Sequence, residues 1–305
     1  MIGGCGENLS MTAYFYLQLL AYTTGTVTVV PLWYLLFTGT LLHKNFRTIL
    51  FLATIAGQGV AFPMYTYAIY KELAPDPDTV FTSLLFDVAV IFTKMFEMGC
   101  LFLCIERAVA VAKLGTYEQY VSPVITVVIT VTLIAVSLLI AVGVQFIHRN
   151  NLYIGYALAV YALSSFIITI AIWIYRRKSH RFGKMNSLQK KFQHRENGRT
   201  FPIYFCVSAN ELIFSGISLV MYVLMTKAVN EMDAYTAFEL FDALQLVDAY
   251  RIAFVNVVVL VNWYLYRRTR RPVVQSQPQD EAKTYFDQLH QSWNPIVETK
   301  SGRKM

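Results

Sequence analysis

Charged side chains are scarce in this sequence. Lys, Arg, Asp and Glu make up 15% of its 305 residues, against roughly 25% in an ordinary soluble domain. That deficit, with 56% hydrophobic residues and a mean hydropathy of +0.45, excludes a conventional globular surface and points to a membrane protein. Histidine is scarce too. His43, His148, His180, His194 and His290 all fall in expected loops or the tail, so no intramembrane metal site of the His/Asp type can be assembled. The motifs H-E-x-x-H, G-x-S-x-G and paired protease aspartates are missing, and no lysine lies in the seventh apolar segment to hold a retinal Schiff base. Neither enzymatic activity nor a cofactor is expected. There are four cysteines: Cys5 stands alone near the N-terminus, and Cys100, Cys104 and Cys206 sit in apolar segments. No bridge between the third helix and the second outer loop can form. The chain shows no internal repeat, which counts against transporter folds built from duplicated halves.

What the chain does have is long apolar runs, about 14–42, 48–70, 80–112, 121–147, 152–175, 201–226 and 243–266. Each can cross about 30 Å of hydrocarbon at about 1.5 Å per residue. Four of them, 14–42, 48–70, 121–147 and 152–175, contain no charge at all. Backbone groups in lipid must bond to one another, which leaves helices or a closed barrel. Barrel strands would alternate over about ten residues, and these runs are continuous. The fold class is therefore all-α, a bundle of seven transmembrane helices spanning 1–266.

The basic residues set the expected orientation. Of 26 Lys and Arg, 21 fall in the first, second and third loops of one side and in the tail. The opposite side has only Lys71, Arg149 and Lys227. By the positive-inside rule the N-terminus is outside and the tail, 267–305, is cytoplasmic. The net charge of +7 then reflects topology and does not require a nucleic acid as partner. Residues 1–13 lack the positive region of a cleavable signal, so the first helix is expected to act as its own anchor. Asn8, in "NLS", is a glycosylation sequon on the outer side. The tail opens with "RRTRRP", suited to anionic lipid headgroups. In 284–293, Tyr285, Phe286, Leu289 and Trp293 form one apolar helical face, which suggests a short interfacial helix; a structureless tail is the alternative.

Charges inside a bilayer cost about 2.5–3.5 kcal/mol each at a helix centre, so those present need a reason. Helix three holds Asp87, Lys94 and Glu97 at spacings of seven and three, which places them on one face. Helix six holds Asn210 and Glu211, and helix seven Asp248 and Arg251, with Glu239 and Asp242 just above it. One reading is a polar pocket between helices three, six and seven that binds a small ligand. A second is a self-paired network, Lys94 with Glu97 and Asp248 with Arg251, that fixes helix packing. A third is a polar path through a channel or transporter subunit.

The run "GCLFLCIERAVAVAKLGTYEQY" ends helix three with an adjacent acid and base, Glu106 and Arg107. At a cytoplasmic mouth they can reach water or headgroups at small cost, as a snorkelling anchor. They can also form a contact that breaks when a helix moves.

Four stretches resemble one known family. "IERAVAVAKLGTYE" (105–118) is similar to the ER-x-x-A … YE pattern of the nematode chemosensory seven-helix receptors of the Sra superfamily. "LQKKFQHRENGR" (188–199) resembles their FQ-x-x-EN-x-R at the entry to helix six, and "LLHKNFRTIL" (41–50) their H-x-N first inner loop. "YFDQLHQSW" (285–293) is similar to the tail of the class epsilon branch (Sre), although the pattern does not separate Sra, Srab, Srb and Sre. The resemblance implies a G-protein-coupled chemoreceptor in the plasma membrane of sensory cilia, with a small-molecule ligand and a heterotrimeric G protein as partners. Helix seven lacks N-P-x-x-Y and helix six lacks C-W-x-P, so the activation rules of rhodopsin-like receptors do not carry over. On this reading Glu106, Arg107, Tyr117, Glu118, Gln193, Glu196, Asn197 and Arg199 form the G-protein face. The last four would lie broadly on one side of a helix, with Glu196 as a partner for Arg107.

Overall fold

A computed structural model describes residues 4–38, 42–73, 79–113, 123–147, 151–182 and 188–269. It contains α1 (Gly4–Thr38), α2 (Lys44–Leu73), α3 (Thr79–Ala112), α4 (Pro123–Ile147), α5 (Asn151–Phe182), α6 (Leu188–Asn230) and α7 (Ala234–Thr269). Among the described residues there is no strand, and all seven helices are long and apolar enough to cross a membrane. The chain divides into two units, Met1–Asn262 and Trp263–Met305. The helix packing and both charged clusters lie within the first unit.

The helices form because a continuous apolar run in lipid must satisfy its backbone groups within its own segment. Many hydroxyls in the spans bond within their own helix. Thr24 Oγ1 donates to Leu20 O at 2.7 Å, Ser137 Oγ to Leu133 O at 2.7 Å and Thr66 Oγ1 to Phe62 O at 2.9 Å. Such bonds let a polar residue sit in a span without an outside partner. Pro31, Pro63 and Pro202 lie inside helices. Each withdraws one donor from the carbonyl four residues before it.

The apolar pattern is that of a membrane bundle. Tyr16, Leu20, Val27, Val30, Tyr34 and Phe37 of α1 face outward, as do Val127, Val131, Leu139 and Val142 of α4. The interior holds Lys94, Glu97, Arg107, Glu211 and Arg251. Lipid is as apolar as a core, so exposed valine costs nothing there, whereas charge must turn inward.

Helix α3 is central and packs against α2, α4, α5 and α6. Its approach to α2 is close because small residues meet. A Cβ on Gly99 would lie 2.7 Å from Ala53 Cβ, and one on Gly59 2.4 Å from the Phe92 ring. Small residues at such crossings let backbones approach closely, which is what drives helix association in lipid. Helix α1 is tied to α7 by three bonds: Gln18 Nε2 to Asp242 O at 2.8 Å, Tyr22 Oη to Gln245 O at 3.4 Å, and Asn256 Nδ2 to Gly25 O at 2.9 Å.

Several helices exceed their apolar windows. The apolar run of helix six starts at 201, yet the helix begins at Leu188. That of helix seven starts at 243, yet the helix begins at Ala234. Glu239 and Asp242 therefore lie within α7, not above it. The cause is a tight turn between α6 and α7. Asp233 N donates to Ala228 O at 2.9 Å and Met232 N to Val229 O at 3.2 Å, with Met232 left-handed at φ 58°. This is a Schellman ending with methionine where glycine is usual. Asp233 then caps α7, its carboxylate accepting from Thr236 N at 3.1 Å and from Thr236 Oγ1 at 2.6 Å. Those bonds hold the exposed Asp233 carboxyl below its ordinary pKa. The interfacial helix expected at 284–293 lies outside the described residues.

Candidate functional site

In the half of the bundle that carries the start of α1, side chains of α1, α2, α3, α5, α6 and α7 enclose a cavity of about 330 Å³. This is within the size range of small-molecule sites. Helix α3 contributes Phe86, Ala89, Val90, Thr93, Lys94 and Glu97, at spacings of three and four that trace one helical stripe. Helix α6 adds Ser218, Tyr222 and Met225, and α7 adds Phe241, Leu244, Gln245 and Asp248. Tyr22 of α1 closes one side.

The charges around this cavity are organised. Lys94 Nζ lies 2.9 Å from Glu97 Oε2, both side chains almost fully buried. Arg251 Nε reaches Glu211 Oε1 at 3.3 Å and Oε2 at 3.1 Å, and its Nη2 also donates to Glu211. Arg251 Nη1 donates to Asp248 Oδ1 at 2.8 Å. Arg251 is buried, while the Asp248 side chain keeps 30% of its surface. One guanidinium thus links α6 to α7 through a planar fork suited to carboxylates.

A second cluster lies about 20 Å further along α3, thirteen residues at about 1.5 Å each. Arg107 donates to Glu106 through Nε and Nη2. Its Nη1 donates to Asn197 Oδ1 at 3.3 Å and contacts Thr200 Oγ1 at 3.5 Å. The guanidinium carbon sits 4.8 Å from the centre of the Phe46 ring, within cation–π range. His43 Nδ1 lies 3.7 Å from Glu106 Oε1, too far for a hydrogen bond. Burial lowers the His43 pKa to about 4, with Arg107 and Arg47 acting in the same direction and Glu106 opposing them. The ring is therefore neutral near pH 7. Between the two clusters lie buried Cys100, Leu103, Cys104 and Val207.

The burial of Arg107, at 1% exposure, overturns the snorkelling anchor. This pair joins α3 to α2 and α6. A helix that stops at the membrane surface would leave the pair in water, but α6 begins nine residues before Asn197 and covers it.

The structure brings together some of the expected site residues. Lys94, Glu97 and Asp248 line the cavity. Glu211 and Arg251 are buried and pair with each other, outside its lining. Asn210 is buried, with Nδ2 lacking a hydrogen-bond partner, and is likewise outside the lining. Asp87 is half-buried and falls just beyond the α3 stripe that faces the cavity. Among the expected G-protein contacts, Glu106, Arg107 and Asn197 meet, and Arg199 is half-buried. Tyr117 and Glu118 lie outside the described residues, as do the side chains of Asn8, Gln193 and Glu196. The helix-six residues shown against Arg107 are Asn197 and Thr200; the anticipated partner, Glu196, has its side chain outside the described residues.

Five polar residues at the cavity carry no signal in the sequence: Tyr22, Thr93, Ser218, Tyr222 and Gln245. They are neutral and scattered through apolar runs. Gln245 stands three residues before Asp248, which is the one available hint. Among the described residues, no group of three or more His, Cys, Asp or Glu forms a metal site.

A seven-helix membrane bundle with a cavity in one half and a buried Glu-Arg junction in the other defines the class: a multi-pass membrane protein with a GPCR-like fold. The family model for the serpentine type 7TM GPCR receptor class ab chemoreceptors matches residues 82–294, more than two thirds of the chain, and the chain belongs to that family. The match is to class ab, not to the class epsilon branch that the tail resembles. It runs from the start of α3 into the tail, and so includes the charged residues that α3, α6 and α7 bring to the two clusters. No curated protein matches the chain.

Proposed function

We propose that this protein is a chemosensory receptor that binds an external small molecule in the cavity and signals through a heterotrimeric G protein. The N-terminus would be outside, the tail cytoplasmic, and the receptor would work in the plasma membrane of sensory cilia. The observation that carries this reading is the arrangement along α3. Its Lys94 and Glu97 line a cavity at one end, and its Glu106 and Arg107 engage α2 and α6 at the other. Helix α6 contributes to both ends, through Ser218 and Tyr222 at the cavity and Asn197 at the junction. A ligand that displaces α6 at the cavity would load the Arg107–Asn197 contact. The internal pairing of the charges favours a receptor over a continuous polar path.

The test is expression with a panel of G proteins and a broad small-molecule library, with surface level monitored by tags. An N-terminal tag should be accessible on intact cells and a C-terminal tag should not. An activating compound should lose its effect in Glu97→Gln at equal surface level. A Glu97→Gln receptor that is poorly expressed but responds normally would reduce the cavity charges to packing elements. Ligand-independent ion flux through the reconstituted protein would favour the channel.

A further inference from the structure

We propose that the cavity selects a small monocationic amine with an apolar, preferably aromatic, body and one hydrogen-bonding group near the amine. The proposal rests on the receptor reading and names the ligand class of the same cavity.

The first argument is charge. Three carboxylates, Glu97, Glu211 and Asp248, share this region with two cations, Lys94 and Arg251. Lys94 is the one cation among the described lining residues, and it is matched by Glu97 at 2.9 Å. Arg251 is engaged through Nε and Nη2 by Glu211, leaving Nη1 for Asp248. The surplus negative charge therefore rests at Asp248, which also has the most accessible carboxylate of the three. In a partly enclosed site of low dielectric, an ammonium at Asp248 gains more than it would in bulk solvent, and an anion meets net repulsion.

The second argument is the wall. Tyr22, Phe86, Tyr222 and Phe241 line the cavity, and aromatic faces attract a cation placed over them.

The third is independent of charge. Gln245 and Ser218 line the same cavity, at 6% and 1% exposure, and Gln245 Nε2, Gln245 Oε1 and Ser218 Oγ have no hydrogen-bond partner. Buried amides and hydroxyls are rarely left so, and a ligand toward which the Gln245 amide or the Ser218 hydroxyl turns removes a standing penalty. Gln245 is one turn from Asp248, so a hydroxyl two carbons from the amine can reach the amide while the ammonium meets the carboxylate.

The experiment uses the full-length receptor in lipid nanodiscs and four probes of similar size: 2-phenylethylamine, 2-amino-1-phenylethanol, 2-phenylethanol and phenylacetate. Both amines should bind at least tenfold more tightly than the alcohol or the acid, by thermal shift and by displacement of a labelled amine. Asp248→Asn should remove that preference. Gln245→Leu, which spares every ion pair, should remove the advantage of the hydroxylated amine over 2-phenylethylamine. If no amine binds, or if the alcohol or acid binds best, the ligand class is wrong. A cavity-filling Ser218→Trp separates that failure from failure of the site itself. If it abolishes the response to a library activator, the cavity stands without the amine. If it has no effect on any activator, the ligand site lies elsewhere and both readings fall.

Discussion

Replacing Arg251 with Met should be among the most destabilising single changes in the bundle. Arg251 is 1% exposed and carries the hydrogen bonds that join Glu211 of α6 to Asp248 of α7. Methionine has a similar apolar reach, so the packing loss is small. The main effect is electrostatic: Glu211 is left buried without its cation, and Asp248 loses the donor that Arg251 supplies. Removing one partner of a buried pair costs about 3–5 kcal/mol, whereas removing both is often close to neutral. Arg251→Met alone should therefore lose about 3 kcal/mol or more. Adding Glu211→Gln should restore at least about 1 kcal/mol of it, because the orphaned charge disappears. The assay is equilibrium unfolding of the purified receptor in mixed micelles, followed by helical circular dichroism, with the four proteins of a double-mutant cycle. A coupling energy under about 0.5 kcal/mol would show that the guanidinium does not bridge α6 and α7, and would refute the packing of this interior.

Asn197→Ala removes an acceptor from Arg107. A charge-assisted bond is worth about 1.5–3 kcal/mol, and at 3.3 Å the lower figure applies, roughly tenfold in a resting-to-active constant. Basal G-protein signalling should rise in Asn197→Ala at normal surface level, while Arg107→Ala should lose coupling and keep ligand binding; unchanged signalling in both would make the junction purely structural. Met232→Gly should raise the thermal midpoint, by up to about 1 kcal/mol of stability, because a left-handed φ strains any residue with a Cβ; a lower midpoint would mean that the turn at 231–233 is not left-handed. The pH dependence of His43 has a definite sign. Its folded pKa is about 4, below the ordinary 6.5, so the unfolded chain takes up the proton first as pH falls. Stability from the neutral ring is complete above pH 6.5 and is lost progressively down to about pH 4. Wild type should lose more stability than His43→Gln over that window in parallel melts, and identical pH profiles would contradict the burial of the ring.

Much of this architecture is legible in the residues alone because it depends on local quantities. Scarcity of charge over about twenty residues sets where a helix crosses lipid, whatever its neighbours do, so the seven spans follow from composition. A spacing of three on a helix brings side chains together without tertiary help, so Lys94–Glu97 and Asp248–Arg251 are readable as pairs. The placement of the ER motif of helix three near the EN motif of helix six comes from order along the chain and a family resemblance. Other features wait for the tertiary structure. Glu211 completes the Arg251 site from a different helix, and only the rotation and depth of α6 against α7 decide that meeting. Asp87 shares its approximate face with Lys94, yet a cavity subtends a limited arc, and packing places Asp87 just beyond it. Arg107 reads as a mouth residue by sequence position, but α6 extends past its apolar run and buries it. Apolar runs report the thickness of lipid crossed and say nothing of how far a helix continues beyond it. Gln245 and Ser218 become site residues because the folded bundle brings α6 and α7 together around one cavity, a property that no single helix possesses.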